Sequence, residues 1–446
     1  FRRVLFRSEN SYYYPENPEA GIDLFLEKLV QETEKEHEDI LEQADETDAV
    51  FGELYSWYLR NPEYRSRVQK LVQSAFAGKP EDIISQSVAK ALYGEVSPYS
   101  ATRLERFAAC AFAHFLQYGM KLTERVEYEF KPMDMGNVMH EALESFAEEV
   151  RKRGMKWTEL TEQERNEIAD RCLDNIVADY GNTVLKSSAR NEYMIERTRR
   201  ILRRTVWALQ KQLEQGEFQP EGFEVTFGGG RIDRVDIMED QNKVYVKVID
   251  YKTGNTSFDL VYLYHGLQLQ LMIYLDGALR VEQKKYPDKE IIPAGVFYYN
   301  IKDPMIQEKI DADVEAVSAG LMKELKMNGL VQADPELVYR MDSSLGSIPV
   351  AFNKDGSFRK NSSVADRTQF AVLGRYVRTK IEKIRSSILE GDAEVSPYEL
   401  GKKNACTYCP YMTVCGFDRR LSGYEFRRLK NFSDEELWKA FDREAE

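Results

Sequence analysis

The chain has 446 residues, of which 43% are hydrophobic and 31% charged, and its net charge is −13. This composition excludes a disordered or fibrous protein, and the length allows two or three domains with their own cores. The sequence has no run of 18 apolar residues and no secretory signal, which argues against a membrane-spanning protein. Because the chain starts at Phe1 without a Met, we expect a fragment of a longer protein. The missing signal and the few cysteines predict a cytoplasmic location.

Helical spacing of apolar residues predicts helix over residues 11–95, with clear patterns at Ile22–Val30 and a strongly acidic, solvated stretch from Glu32 to Asp48. The first ten residues predict no structure. Turn-forming residues around 94–100 then separate this segment from a helix through Leu104 and Phe115.

An amphipathic helix is predicted from Asp134 to Val150, where His140 and Glu144 share one side. More helix follows to about Gln215. It carries five arginines that form either a solvated helix face or a surface facing DNA: Arg197, Arg199, Arg200, Arg203 and Arg204. The net charge of −13 argues mildly against nucleic-acid binding, but a local basic surface is what matters.

The pattern changes at Phe223, and alternation of apolar and polar residues predicts strands. The remaining expected elements, in chain order, are strands 223–227, 231–237, 244–251 and 294–300, with a helix from Val261 to Arg280 and another over 366–390. Residues 331–365 are turn-rich. We therefore predict an α/β domain over about 97–420 with helical flanks.

Charged residues end two of these strands, in Arg231-Ile232-Asp233 and in Ile249-Asp250-Tyr251-Lys252. Asp250 and Lys252 share a face with Val244, Val246 and Val248, so a buried apolar face would end in a carboxylate and an ammonium. Unpaired buried charge is unfavourable, and a Mg²⁺ or Mn²⁺ ion between the two aspartates would relieve it.

Such a cation can polarise a phosphoryl oxygen and lower the pKa of a bound water, which suits phosphodiester hydrolysis. Lys252 would position that water or stabilise charge on the phosphate. The alternative is an ordinary Asp–Lys pair at a strand end. Arg234 and Asp236 are expected to form salt bridges or to lie on the DNA side.

Five cysteines do not make a disulfide framework in a chain of this length. Three stand in a C-x2-C-x5-C pattern at Cys406, Cys409 and Cys415, and a metal centre needs a fourth ligand. Cys172 falls in a helical pattern where a buried free thiol is expected, so Cys110 is the preferred fourth ligand. Spacing leaves zinc and a [4Fe–4S] cluster both open.

The segments Gly230–Asp236 and Val248–Gly254 resemble the active-site signature of RecB-type nucleases in the PD-(D/E)XK superfamily. The resemblance extends to the His140 helix and implies a restriction-endonuclease-like core, a mixed sheet flanked by helices. It implies metal binding by His140, Asp233, Asp250 and Tyr251. It also implies catalytic roles for the following residues: His140, Asp233, Asp250, Lys252, Gln270 and Tyr274.

One-plus-three cysteines around such a nuclease resemble the pattern of iron–sulfur nucleases, which implies a [4Fe–4S] cluster on Cys110, Cys406, Cys409 and Cys415. This cluster would staple the two ends of the nuclease domain and close a loop of nearly 300 residues.

Over about 97–420 the motifs are similar to those of the AddB (RexB) proteins of helicase–nucleases. The likeness implies a DNA exonuclease that processes double-strand breaks for recombinational repair, cuts the 5′-ended strand and pairs with an AddA-like subunit. The expected division is a helical tail of a helicase-like region (1–95), the nuclease domain (96–420) and a charged tail (421–446). No G-x-x-x-x-G-K-[ST] motif for ATP occurs.

Two other interpretations stay open. One is a stand-alone iron–sulfur exonuclease acting on single-stranded DNA, against which the helical segment before residue 95 speaks. The other is a DNA-binding scaffold with a vestigial acidic site, against which the intact set of Asp233, Asp250 and Lys252 speaks.

Overall fold

The structure, a computed structural model, describes residues 6–9, 12–15, 46–75, 83–94, 100–123, 132–179, 188–228, 230–306, 313–420 and 423–445. The chain divides into two compact units. The first unit comprises residues 1–84, 110–113 and 392–428, and the second comprises 85–109, 114–391 and 429–446. The helix expected at Ile22–Val30 and most of the acidic stretch Glu32–Asp48 lie outside the described residues.

The described helices are α1 (Glu46–Arg60), α2 (Pro62–Ala75), α3 (Gln86–Tyr93), α4 (Ala101–Ala109), α5 (Ala111–His114), α6 (Pro132–Lys152), α7 (Glu162–Asp179), α8 (Ala189–Glu214), α9 (Leu260–Tyr264), α10 (Gln270–Lys285), α11 (Val314–Glu324), α12 (Pro335–Met341), α13 (Arg367–Glu390), α14 (Met412–Cys415) and α15 (Asp434–Ala445). A π-helical turn covers Phe115–Gly119 and a 3₁₀ turn covers Trp157–Glu159. None of the described helices is long and apolar enough to cross a membrane.

The strands are β1 (Phe6–Glu9), β2 (Tyr12–Pro15), β3 (Gln219–Phe227), β4 (Gly230–Asp240), β5 (Lys243–Lys252), β6 (Glu290–Asn300), β7 (Asn328–Gln332), β8 (Val364–Ala365), β9 (Tyr398–Leu400), β10 (Lys403–Asn404) and β11 (Arg427–Arg428). Strands β1 and β2 form an antiparallel pair, and β9 lies between β10 and β11.

The N-terminal prediction is wrong at two places. Tyr12–Pro15, expected to be helical, is a strand, and its partner Phe6–Glu9 lies where no structure was expected. Tyrosine favours strands, so the run Tyr12-Tyr13-Tyr14 outweighs the helical spacing that follows it. Helices α1, α2 and α3 do lie where helix was predicted.

A six-stranded mixed sheet in the order β3-β4-β5-β6-β7-β8 forms the centre of the second unit. Strands β3, β4 and β5 make an antiparallel meander, β6 runs parallel to β5, and β7 is antiparallel to β6. The four predicted strands are confirmed, each somewhat longer than expected. Strands β7 and β8 were missed because they are short pieces of the turn-rich stretch 331–365 or border it.

Each face of the sheet packs against helices. On one face, Ile249 and Tyr251 join an apolar core with residues of α6, α7 and α8. Strand alternation puts Val244, Val246 and Val248 on the opposite face, where they are fully buried. Helix α10 packs against β5 and β6. Both faces of β5 are thus covered up to the position of Asp250.

The predicted helix Val261–Arg280 is two helices, α9 and α10. Gly266 between them has φ +79°, a left-handed conformation that favours glycine and ends α9. A Cβ on Gly266 would also lie 3.2 Å from the Cβ of Ala108. The break matters because it makes Gln270 the first residue of a helix.

Candidate nuclease metal site and cysteine cluster

The second unit brings together the side chains that the sequence singled out on separate elements. His140 lies on α6, Asp233 on β4, and Asp250 and Lys252 at the end of β5. Arg234 pairs with Ile249 across β4 and β5, so Asp233 and Asp250 occupy neighbouring positions of the antiparallel ladder. Both carboxylates are buried, Asp250 almost completely.

The imidazole of His140 lies beside the first aspartate. Its Nδ1 is 3.4 Å from Asp233 Oδ2, and its Nε2 is 3.1 Å from the carbonyl oxygen of Tyr251. The Tyr251 N–H donates to the same Asp233 oxygen at 2.7 Å. The Tyr251 side chain lies in the apolar core, so only the carbonyl of this residue is available as a metal ligand.

Lys252 connects the second aspartate to helix α10. Its ammonium is 2.5 Å from Asp250 Oδ2 and donates to Gln270 Oε1 at 2.8 Å. The Gln270 amide in turn donates to the Tyr274 hydroxyl at 3.0 Å. This series of hydrogen bonds fixes the Lys252 ammonium beside Asp250, where it could contact an incoming phosphate.

Burial and neighbouring negative charges shift the pKa values of Asp250 and His140. Burial, and then the charge of Asp233, raise the pKa of Asp250 to about 7 although Lys252 opposes the shift. Burial disfavours the imidazolium of His140, but hydrogen bonds and charges from Asp233 and Glu224 outweigh burial and raise the pKa of His140 to about 10. A divalent cation would replace these protons and balance the carboxylates.

Sequence comparison agrees with this geometry. The model of the PD-(D/E)XK nuclease superfamily matches residues 98–416.

The chain belongs to the PD-(D/E)XK nuclease superfamily.

The expected fold of this superfamily is thereby confirmed. Curated relatives are named as the B component of an ATP-dependent helicase/deoxyribonuclease. The protein of Lachnoclostridium phytofermentans is 41% identical over 425 residues, 90% of this chain and 36% of its own length. Those of Thermoanaerobacter sp. and Clostridium acetobutylicum are 34% and 33% identical, over 37% and 36% of their lengths. The chain thus spans a little over a third of the length of these relatives.

Sequence reasoning missed Glu224 on β3, which lies within this PD-(D/E)XK site. Its Oε1 is 3.8 Å from His140 Nδ1, and it also pairs with Arg231. In the part of the chain that the structure describes, His140, Glu224 and Asp233 are the group whose potential ligand atoms all lie within 4.8 Å of one another.

The β3–β4 hairpin contained a signal for Glu224. Phe227 pairs with Gly230 and Val225 with Ile232, so counting back from the turn puts Glu224 opposite Asp233. Glu224 also has φ +48°, a conformation that is unfavourable by roughly 1–2 kcal/mol for a residue other than glycine.

A second missed residue, Glu105 on α4, holds the first turn of α10. Its Oε1 accepts the N–H groups of Leu269 and Gln270 at 2.7 and 2.9 Å. Burial raises the pKa of Glu105 to about 7, against the effect of these two N–H groups and of Lys252. Glu105 thereby positions Gln270, and through Gln270 the ammonium of Lys252.

Arg234 and Asp236 form a buried salt bridge, the first of the two roles that the sequence left open. Arg234 Nε and Nη2 donate to the two oxygens of Asp236 at 2.6 and 2.9 Å. Lys247 is 2.9 Å from the same carboxylate, and all three residues are buried. Their role is structural.

Removing Asp236 should therefore destabilise the fold. Asp236→Ala leaves two buried cations without their carboxylate, and we expect the free energy of unfolding to fall by about 3–5 kcal/mol. Urea unfolding measures this. Glu239→Ala, which removes the partly exposed partner of Lys289, is the control and should change the value by less than about 1 kcal/mol. Equal effects of the two substitutions would contradict the assignment.

The four cysteines expected to bind a cluster all belong to the first unit. Burial raises the pKa of Cys406 to about 11, followed by the charges of the Cys110, Cys409 and Cys415 thiolates, so these groups are electrostatic neighbours. Burial also raises the pKa of Cys110, while N–H groups of Ala113, Ser396 and Phe112 oppose the shift.

Cys172 has different surroundings. It is 7% exposed and lies in the apolar core of the second unit with residues of α6 and α8. These are the surroundings expected of a buried free thiol.

Proposed function

We propose that this chain is a divalent-metal-dependent deoxyribonuclease that hydrolyses phosphodiester bonds of single-stranded DNA. The observation that carries the proposal is the convergence of His140, Asp233, Asp250 and Lys252 at the ends of β4 and β5. The carboxylates fit a Mg²⁺ or Mn²⁺ ion because they are oxygen donors, and because burial, followed by the charge of Asp233, raises the pKa of Asp250 and so disfavours its uncompensated charge.

Different side chains would bind the metal and contact the phosphate. His140, Asp233, Asp250 and the Tyr251 carbonyl would hold the cation, with Glu224 beside them. A cation held there would polarise a phosphoryl oxygen and make a bound water more acidic. The Lys252 ammonium, fixed by Gln270, donates to the phosphate as negative charge develops on it. Tyr274 keeps Gln270 oriented.

The names of the relatives support a role in a larger helicase–nuclease complex. We propose that the chain is the nuclease region of an AddB-type protein in a helicase–nuclease that processes double-strand breaks for recombinational repair in the cytoplasm and cuts the 5′-ended strand. An AddA-like subunit would supply the motor and the single-stranded DNA end. Residues 1–95 would be the tail of a helicase-like region, 96–420 the nuclease domain and 421–446 a charged tail.

The first unit would hold a [4Fe–4S] cluster on Cys110, Cys406, Cys409 and Cys415. Burial, and then the charges of Cys110, Cys409 and Cys415, raise the pKa of Cys406, so the four thiols are electrostatic neighbours within the first unit. Four neighbouring thiolates are the ligand set that a [4Fe–4S] cluster needs.

End-labelled oligonucleotides test the deoxyribonuclease proposal. We expect wild-type protein to degrade a single-stranded substrate with Mg²⁺, and Asp233→Ala to bind the substrate without cutting it. Substrates labelled at the 5′ or the 3′ end report which end is attacked. If wild-type protein binds the oligonucleotide but does not cut it with Mg²⁺ or Mn²⁺, the chain is a DNA-binding scaffold.

Complex formation separates the two enzymatic interpretations. Co-purification with an AddA-like subunit at a 1:1 ratio supports the helicase–nuclease. A chain that stays alone in its presence and cuts DNA at the same rate is a stand-alone exonuclease.

Metal affinity should rise with pH. A cation must displace the proton of His140, whose pKa is about 10, and below about pH 7 also that of Asp250. We expect the Mn²⁺ association constant to rise about 100-fold per pH unit below pH 7 and about tenfold per unit above it. Calorimetry in buffers of different ionisation enthalpy measures both affinity and released protons. A constant affinity from pH 6 to 9 would refute this.

Glu224 should strengthen metal binding. Glu224→Gln keeps the size of the side chain but removes its charge next to His140 and Asp233, and we expect Mn²⁺ affinity to fall by about 10–100-fold. Glu221→Gln on the same strand, whose carboxylate contacts Lys285, is the control and should not change the affinity. Identical affinities of both variants would exclude Glu224 from the site.

A further inference from the structure

A strongly basic cleft lies outside the metal site. A cleft of about 620 Å³ is lined by residues of α7, α8 and α11 in the second unit. Its walls hold two acidic residues, Glu162 and Glu196, and the six arginines of what we call the arginine cleft: Arg165, Arg197, Arg199, Arg200, Arg203 and Arg204. This is a concentration of positive charge in a chain whose net charge is −13.

Arg165 is the most informative of these residues. Its side chain is 7% exposed, and its Nη1 donates to Gln210 Oε1 at 2.6 Å. The Gln210 amide is held by the carbonyl of Leu160 at 2.8 Å. Arg165 Nε is buried without a hydrogen-bond partner, and within the described residues no carboxylate pairs with this guanidinium. A buried cation without a counter-ion is unfavourable, and an anion entering the cleft would remove that penalty.

The other arginines fall into two sets. Arg199, Arg200 and Arg203 are held by Asp174, Asp303 and Asp170, respectively, which fixes them on the wall of the cleft. Across the described residues, Arg197 and Arg204 have no carboxylate partner, and Arg204 lies over the ring of Trp207 at 5.8 Å. These two guanidiniums are available to an external anion.

Two aromatic side chains line the same cleft. Tyr193 is 64% exposed, and Trp207 is half-buried. Aromatic faces next to arginines are the arrangement that proteins use for single-stranded nucleic acid, where phosphates meet the cations and bases stack on the rings. An acidic polypeptide would use the arginines but would leave the exposed ring of Tyr193 without a partner.

We propose that the arginine cleft binds single-stranded DNA, with phosphates at Arg165, Arg197 and Arg204 and bases stacked on Tyr193 and Trp207. The choice of DNA rests on the proposed deoxyribonuclease function. The site is separate from the metal site because none of its residues belongs to the set around Asp233 and Asp250. It would hold a strand independently of the bond that is cut.

DNA binding without cleavage tests the proposal. The probe is fluorescein-labelled dT20, and anisotropy is measured in EDTA on Asp250→Asn protein at 50–200 mM salt. We expect Arg197→Glu combined with Arg204→Glu to weaken binding at least about tenfold. The slope of log affinity against log salt should fall by about 1.4, since each phosphate contact with a single strand contributes about 0.7.

The control changes the charge equally at another surface. Arg375→Glu combined with Lys439→Glu alters exposed residues of α13 and α15 and should change the affinity less than twofold. Tyr193→Ala changes an exposed residue that the fold does not need, and it should weaken DNA binding at least about fivefold. Tyr193→Phe keeps the aromatic ring and should bind DNA like the wild type.

An affinity of the Arg197→Glu/Arg204→Glu protein within twofold of the control would overturn the proposal. If the Arg197→Glu/Arg204→Glu protein loses binding to poly-L-glutamate but still binds DNA, the cleft binds an acidic polypeptide instead. Failure of the nuclease proposal looks different: wild-type protein would then bind dT20 through the cleft but leave it uncut with Mg²⁺.

Discussion

Asp250→Asn should lower the rate of DNA cleavage by about 1,000-fold or more. The substitution removes one of the two carboxylates expected to bind the cation, and metal stabilisation of transition-state charge amounts to several kcal/mol, at about 1.36 kcal/mol per factor of ten. The rate is measured with saturating enzyme and Mg²⁺ on a labelled oligonucleotide.

The same variant should fold at least as well as the wild type. Burial raises the pKa of Asp250 to about 7, so its ionised form is less favourable in the folded protein than in the unfolded chain. This penalty is absent below the unfolded pKa, grows as the pH rises from there to about 7, and is complete above about pH 7. Asn removes the charge, and stability above pH 7 should therefore be equal or higher.

Asp288→Asn, in the exposed turn before β6, is the matched control and should leave both rate and stability unchanged. If Asp250→Asn cuts DNA at the wild-type rate, Asp250 is not a metal ligand. If it unfolds, its carboxylate has a structural role that the contacts with Lys252 do not explain.

Cys110→Ala should abolish the iron–sulfur cluster. The wild-type chain, purified without oxygen, should be brown and contain about four irons, and the variant should contain almost none. Since residues 110 and 406 are nearly 300 residues apart, loss of the link should also lower the free energy of unfolding, on the order of 5 kcal/mol in a loop-closure model.

Cys172→Ala is the control for the cysteine prediction. Cys172 lies in the apolar core of the second unit, so this variant should keep its iron and lose only the small packing contribution of a thiol. A colourless wild-type protein with one zinc would exclude the cluster. A Cys110→Ala protein that retains four irons would exclude Cys110 as a ligand.

The strands that carry the site were predictable because alternation is a local property. Val244, Val246 and Val248 point to the face on which Asp250 and Lys252 follow, and the structure agrees. The contact of His140 with Tyr251 joins residues 111 apart, and spacing alone gave no reason for it. Only the resemblance to RecB-type nucleases put His140 in the site.

Other features depend on tertiary contacts that one sequence does not encode locally. Glu105 reaches the start of α10 across more than 160 residues, and α10 starts after the break at Gly266, where the preceding helix ends. The arginines of α8 were correctly located on a helix. Their acidic partners on α7, the partner Asp303 of Arg200 and the unpaired state of Arg165 depend on tertiary packing around α8.

The most direct test of the nuclease site is the rate of oligonucleotide cleavage by the wild-type chain as a function of Mg²⁺ concentration, with His140→Ala measured in parallel. We predict no cleavage in EDTA, a saturable rise with Mg²⁺, and a shift of the His140→Ala curve to higher concentration. Cleavage that persists in EDTA, or the same Mg²⁺ dependence for both proteins, would contradict a metal site built on His140, Asp233 and Asp250.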